Sequence, residues 1–375
     1  MNSNLRVGNL FGIPFFINPS WFLVLGLVTW SYGSGIATEF PYLGGVTPWV
    51  LGLATALLLF ASVLAHELGH SFVALRQGIA VNSITLFIFG GLASLGEESK
   101  TPGESFRVAI AGPLVSFVLF GVFSAINLFA GLSGPIAGIV GLLAYINLAL
   151  GVFNLLPGLP LDGGNVLKAI VWKITGKPYR GVAFASRAGQ VLGWIAVVMG
   201  VLAVLGISNI GSIWTLLIGW FLLQNAGRYG QSAAIQEKLS GLTAADAISP
   251  NSPIVSADSS LREFANNHII GNSANWRKYL VTDEAGQLMG EIAVDALKTI
   301  PTNDWWDVKV RDLMQPTEAL ETVPSDEPLL EVVGLFEKKQ IPALAVIREN
   351  GVLVGLLEQA SIIKLLQKRM ESKPA

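Results

Sequence analysis

Residues 66–70 read His-Glu-Leu-Gly-His, in an apolar stretch that runs from Trp49 to Leu75 and meets its next basic side chain only at Arg76. Two histidines at i and i+4 stand on one face of a helix, close enough for both imidazoles to reach one tetrahedral zinc. Glu67 between them can then act as general base on a water held by that metal. Zinc lowers the pKa of such a water to about 7, which supplies hydroxide at neutral pH. The alternative is a chance pattern in which Gly69 serves only helix packing. Against it, the chain has three histidines, two of them here, and an unpaired Glu at bilayer depth costs ~3 kcal/mol on insertion scales. The pattern points to hydrolytic metal chemistry inside a membrane.

A catalytic zinc needs a third protein ligand, and the apolar half of the chain has few acids to offer. Glu39 lies in an outer loop and Glu237 beyond the last apolar run, while Glu97, Glu98 and Glu104 sit among Lys100, Pro102 and Gly103 in what reads as a solvated loop. Asp162 differs, because it follows a helix broken by Pro157 and Pro160. Such a break is tolerated at membrane depth where protein or a polar cavity supplies hydrogen-bond partners. Asp162 is the expected third ligand, the competing role being a helix cap.

His66 to His70, together with the run Asn154-Leu155-Leu156-Pro157-Gly158-Leu159-Pro160-Leu161-Asp162-Gly163-Gly164, resemble the two signature motifs of the site-2 protease family of intramembrane zinc metalloproteases. Ile88-Phe89-Gly90-Gly91 and Ala111-Gly112-Pro113-Leu114 match weaker features of that family. The resemblance implies zinc on His66, His70 and Asp162, with Glu67 activating the water. It further implies that Asn154 lies near the substrate backbone, unless it only packs helices or steadies the proline-broken turn. Residues 82–96, including Gly90 and Gly91, would form a membrane-embedded hairpin that pairs with an unwound substrate strand. Ser116 departs from the asparagine that members often carry after the Gly-Pro. The implied substrates are single-pass membrane proteins, such as anti-sigma factors or membrane-tethered regulators.

The elements that must hold these residues follow from composition. Only 13% of residues are charged and 52% are hydrophobic, against roughly one-quarter charged in a soluble domain. The net charge of −2 suggests no nucleic-acid partner, and the absence of cysteine removes disulfides and thiolate chemistry. About six runs are long enough to span a bilayer: 18–35, 49–75, 106–130, 135–156, 186–206 and 209–227. The first lacks the flanks of a cleaved signal and reads as a retained helix. A six-helix path with both termini inside puts Arg76, Arg107, Lys168, Arg187 and Arg228 on one face, which the positive-inside rule makes cytoplasmic. The expected location is a bacterial inner membrane, in multi-pass form.

From Leu242 onward the chain reads as soluble and carries an internal repeat. Asp246 and Pro250 recur as Asp312 and Pro316, 66 positions later, and Gly290 recurs as Gly355. Each unit holds a β run (253–255; 320–323), a helix, two strands around a turn and a final helix. This resembles a tandem pair of CBS domains, so the expected fold is a polytopic α-helical membrane domain (1–230) followed by an α/β pair (242–305 and 306–370). Such pairs commonly bind adenine nucleotides, and Asp295 is the retained acid for that contact, although the usual threonine is missing from both units. A structural or dimerising module, giving a homodimer, is the alternative use. A CBS-regulated transporter or channel is the alternative function for the whole chain, though it should distribute polar residues along several helices. His268 reads as a surface residue, and Trp276, Trp305 and Trp306 as either interface anchors or core packing.

Overall fold

The computed structural model describes residues 4–88, 90–270, 276–316 and 321–371. Phe89 of the expected hairpin and Leu320 of the second β run lie outside them. The chain forms two compact units, Met1–Ala234 and Ile235–Ala375.

The first unit opens on strands β1 (Leu5–Leu10) and β2 (Ile13–Ile17), followed by helices α1 (Ser20–Glu39) and α2 (Thr47–Arg76). Strands β3 (Val81–Phe87) and β4 (Gly90–Leu95) come next, then α3 (Pro102–Phe129), α4 (Gly134–Asn154), α5 (Asp162–Thr175), α6 (Pro178–Val204) and α7 (Ile213–Leu239), whose residues from Ile235 belong to the second unit. Helices α1, α2, α3, α4 and α6 are each long and apolar enough to cross a membrane. The sixth expected span is α7, which is apolar as far as Leu223 and then turns polar at Gln224, Asn225 and Arg228, so it falls short of the other five.

Two elements were not among the spans and strands expected from sequence. The β1–β2 hairpin joins the expected β3–β4 hairpin in one sheet of order β1-β2-β3-β4, with Phe15 opposite Ile84 in a parallel pair and Leu86 opposite Gly91 in an antiparallel one. Its inner face, with Ile13, Phe15, Ile84 and Leu86 buried, packs on Phe60, Val63, Leu64 and Leu68 of α2. The second is the short amphipathic α5, which closes on Gly176 in the left-handed conformation.

The second unit holds β5 (Ile254–Ser256), α8 (Leu261–Phe264), β6 (Lys278–Thr282), β7 (Leu288–Ala293) and β8 (Gln315–Pro316), then β9 (Thr322–Pro324), α9 (Leu329–Lys339), β10 (Ala343–Ile347), β11 (Leu353–Glu358) and α10 (Gln359–Glu371). The repeat is visible in the pairing. β5 runs parallel to β6 and β6 antiparallel to β7, just as β9 runs parallel to β10 and β10 antiparallel to β11. Asp246 accepts from the Thr243 N–H at 2.8 Å and Asp312 from the Lys309 N–H at 2.9 Å, the same local cap in each copy.

The two repeats exchange their leading segments. Leu239, Leu242, Ala244 and Ala247 are buried with Val323, Leu329 and Phe336, whereas Val310 is buried with Val255, Phe264 and Ile292. Gly290 and Gly355 mark the crossings: a Cβ on Gly290 would meet the Gln315 carbonyl at 1.9 Å, and one on Gly355 would meet Ile248 at 2.4 Å.

Candidate metal centre and active-site cavity

Helix α2 presents two faces. One carries the residues that pack on the sheet, and the other buries Thr55, Ser62, His66, Gly69 and His70. Helix α3 approaches the second face at Gly112, where a Cβ would stand 2.2 Å from His70 Nε2 and 2.6 Å from His66 Nε2. Glycine at 112 therefore leaves space in front of both ring nitrogens.

The prolines before α5 turn the chain back so that Asp162, its first residue, meets the two histidines. Glycine is required on the residues behind it: a Cβ on Gly163 would lie 2.2 Å from the Leu155 carbonyl, and one on Gly164 would lie 2.3 Å from the Gly158 backbone. Asp162 Oδ2 stands 3.0 Å from His66 Nε2 and 3.3 Å from His70 Nε2, and the two Nε2 atoms are 3.3 Å apart. The three side chains thus bring one donor atom each into a single cluster.

The opposite ring nitrogens are held in place. His70 Nδ1–H donates to the Val108 carbonyl at 2.7 Å, and His66 Nδ1 lies 2.8 Å from Ser116 Oγ. With Nδ1–H donated to Val108, the Nε2 of a neutral His70 ring would offer its lone pair to a cation held beside the carboxylate. Tetrahedral zinc with ligands at 2.0–2.1 Å has donor-to-donor edges of about 3.3 Å, so the spacing, the donor set and the outer partners all fit that metal.

The cluster opens into a cavity of about 430 Å³. Glu67, Asn154, Gly90 and Gly91 line it, so each candidate site residue in the membrane unit that the sequence singled out reaches one chamber. Gly91 passes directly over Glu67, since a Cβ there would be 2.4 Å from Glu67 Cγ. β4 is the edge strand of its sheet and borders the cavity with Gly90, Leu92, Ala93 and Leu95.

The remaining acids have other tasks. Glu104 caps α3, accepting from the Lys100 and Thr101 N–H groups at 2.9 and 3.2 Å. Asp295 is exposed in a short turn and pairs with Lys298 at 2.6 Å, and the Lys298 ammonium holds its carboxyl below the usual range. His268, expected at the surface, is half-buried against Phe264 and Tyr279, because its ring completes an aromatic group at the end of α8. Trp276 and Trp305 pack on the first repeat's core while Trp306 is exposed.

Ser116 and the Val108 carbonyl are the parts of the site to which sequence reasoning gave no role. Ser116 was visible only as a substitution after Gly-Pro, and a backbone carbonyl leaves no sequence signal.

A model of peptidase family M50 matches residues 54–133 and 132–196, and a CBS domain model matches residues 310–368. The relative sll0528 of Synechocystis sp., which carries a zinc metalloprotease name, is 56% identical over 98% of this chain and 96% of its own. Rip3 of Mycobacterium tuberculosis, also named as a zinc metalloprotease, is 31% identical over 100% of this chain and 95% of its own. A solved site-2 protease from Methanocaldococcus jannaschii aligns with 60% of this chain and 95% of its own at 30% identity, with a TM-score of 0.44.

The chain belongs to peptidase family M50, a family of membrane zinc metalloproteases, and it carries a C-terminal CBS domain. It is a multi-pass membrane protein and a peptidase by family. Nothing in the comparisons favours the transporter alternative.

Proposed function

We propose that the protein is an intramembrane zinc endopeptidase that cuts a single-pass membrane protein within or near its transmembrane helix. The observation that carries this is the meeting of Asp162 Oδ2 with His66 Nε2 and His70 Nε2, which stand on a helix built mostly of apolar residues. His66, His70 and Asp162 are the metal ligands. Bound there, zinc supplies the Lewis acidity that polarises a peptide carbonyl and makes water nucleophilic at neutral pH.

The chain's own residues perform the rest. Glu67 takes the proton of the attacking water and delivers it to the departing amine nitrogen. Ser116 and the Val108 carbonyl hold both imidazoles so that neither ring turns away from the ligand position. A substrate helix has its amides internally bonded, so it must unwind before cleavage. The outer edge of β4, with Gly90 and Gly91, receives the released strand and satisfies its backbone groups. Asn154, which lines the same cavity, bonds the substrate backbone. Water enters beside Asn165, on the cytoplasmic side.

Both chain termini are cytoplasmic in this scheme, in a bacterial inner membrane, and the substrate is a protein such as an anti-sigma factor or a membrane-tethered regulator. Residues 1–230 form the protease, with 242–305 and 306–370 as the two repeats. For the C-terminal pair a structural or dimerising module is the favoured role. Asp295 is exposed beside Lys298, and the threonine usual at a nucleotide contact is missing from both units. A thermal shift of the full-length protein with AMP or ATP would reinstate a nucleotide sensor.

The test is a co-expressed single-span membrane reporter. His66→Ala and Asp162→Asn each remove bound zinc and cleavage together, and a zinc-free variant that still cuts the reporter would overturn the proposal.

A further inference from the structure

The cavity that holds the metal cluster also holds a cation that the peptidase reading leaves unused. Lys168 stands on α5, six residues after Asp162, and among the described residues that line the cavity it is the one basic side chain besides the two histidines. Its side chain is only 16% exposed. The backbone beneath it is fixed, because the Lys168 carbonyl lies 2.4 Å from where a Cβ on Gly181 of α6 would be. The ammonium's ion-pair partner is Glu98 Oε2 at 3.4 Å, from the loop that follows β4.

That pair is lopsided. A shielded ammonium has lost much of its hydration and is strongly favoured by a carboxylate. Glu98 is 81% exposed, and a carboxylate so placed gains little from its partner and gives it up readily. Glu98 therefore resembles a stand-in for an acid that comes and goes.

The position fits a substrate side chain. Six residues of α5 separate Lys168 from the cluster by about 9 Å along the helix, which matches roughly three residues of an extended chain. A strand added to the outer edge of β4 would run from Gly91, over Glu67, past Leu95 toward Glu98. We propose that Lys168 forms a specificity subsite for an acidic side chain of the substrate, about three residues from the cleaved bond, with Glu98 displaced when it binds. The inference rests on the endopeptidase reading with strand addition to β4.

The test uses the full-length protein in zwitterionic phospholipid vesicles. The probe is a synthetic single-span peptide with a fluorophore and quencher about the cleavage zone, and Ala, Asp or Lys is scanned through each flanking position. With wild type, Asp at one position about three residues from the cut raises kcat/KM roughly 10-fold over Ala, the scale of one charged hydrogen bond, and Lys lowers it. Lys168→Glu inverts that order. Lys168→Met erases the Asp-over-Ala ratio, and Glu98→Gln enlarges it through a lower KM for the Asp probe. The glutamine variant alters an exposed side chain and carries the test if the lysine variants fail to retain zinc.

Equal kcat/KM for all probes with wild type, or an Asp preference that survives Lys168→Met, overturns the subsite and leaves the peptidase standing. Variants that slow every probe by the same factor also overturn it, since Lys168 and Glu98 would then only latch the loop to α5. Failure of zinc-loaded wild type to cut any probe overturns the subsite together with the endopeptidase reading.

Discussion

The membrane unit and the C-terminal unit both carry acids and a histidine, yet they use them in opposite ways. In the membrane unit Asp162 comes from a distant sequence position to converge with His66 and His70 on one point. In the C-terminal unit the acids disperse into separate caps and pairs, as Asp246 does with Thr243, Asp295 with Lys298, and Asp258 with Arg311. The difference follows from the surroundings. A polar side chain among lipid-facing helices is expensive and must be justified by partners, whereas an acid at a soluble surface costs almost nothing and carries little information.

The sharpest break of this contrast comes from Gly112→Ala. The added methyl would fall 2.2 Å from His70 Nε2, so zinc and cleavage should vanish together, as read by metal analysis and the membrane reporter. Gly91→Ala should separate the two. Its Cβ would fall 2.4 Å from Glu67 Cγ and no closer to the ligands, so zinc is kept while cleavage drops, by up to ~100-fold if the base is displaced. Ser116→Ala removes only the group behind His66 and should weaken zinc roughly 10–100-fold in a competition titration with a chelator.

Changes in the C-terminal unit should leave the metal alone. Gly355→Ala drives a methyl into Ile248 and should destabilise that unit by ~1–3 kcal/mol, seen in thermal unfolding, with zinc content unchanged. The smallest effect belongs to Asp295→Asn, which should alter neither unfolding nor zinc because the pair it breaks is solvated.

The same economics explains what the sequence made legible. His66, Glu67 and His70 were readable because they interrupt an apolar helix, and Asp162 because acids are scarce between residues 104 and 237. The β3–β4 hairpin was readable from a β-prone run that ends in two glycines. The β1–β2 hairpin was not, because Pro14 and the bulge between Arg6 and Gly8 blur its alternation, and its pairing with β3 spans nearly seventy positions. α5 was legible only through the cap alternative for Asp162, being too short and too polar to register as a span. The exchange of leading segments between the two repeats was equally hidden, since a repeat shows which residues are equivalent and not which copy they pack against.

Glu67 is assigned to chemistry and not to holding the metal. Zinc content and reporter cleavage, measured on one purified sample of Glu67→Gln, test this most directly. About one zinc per chain with cleavage lowered at least ~100-fold is the expected result. Cleavage at the wild-type rate, or loss of zinc with the glutamine, would contradict it.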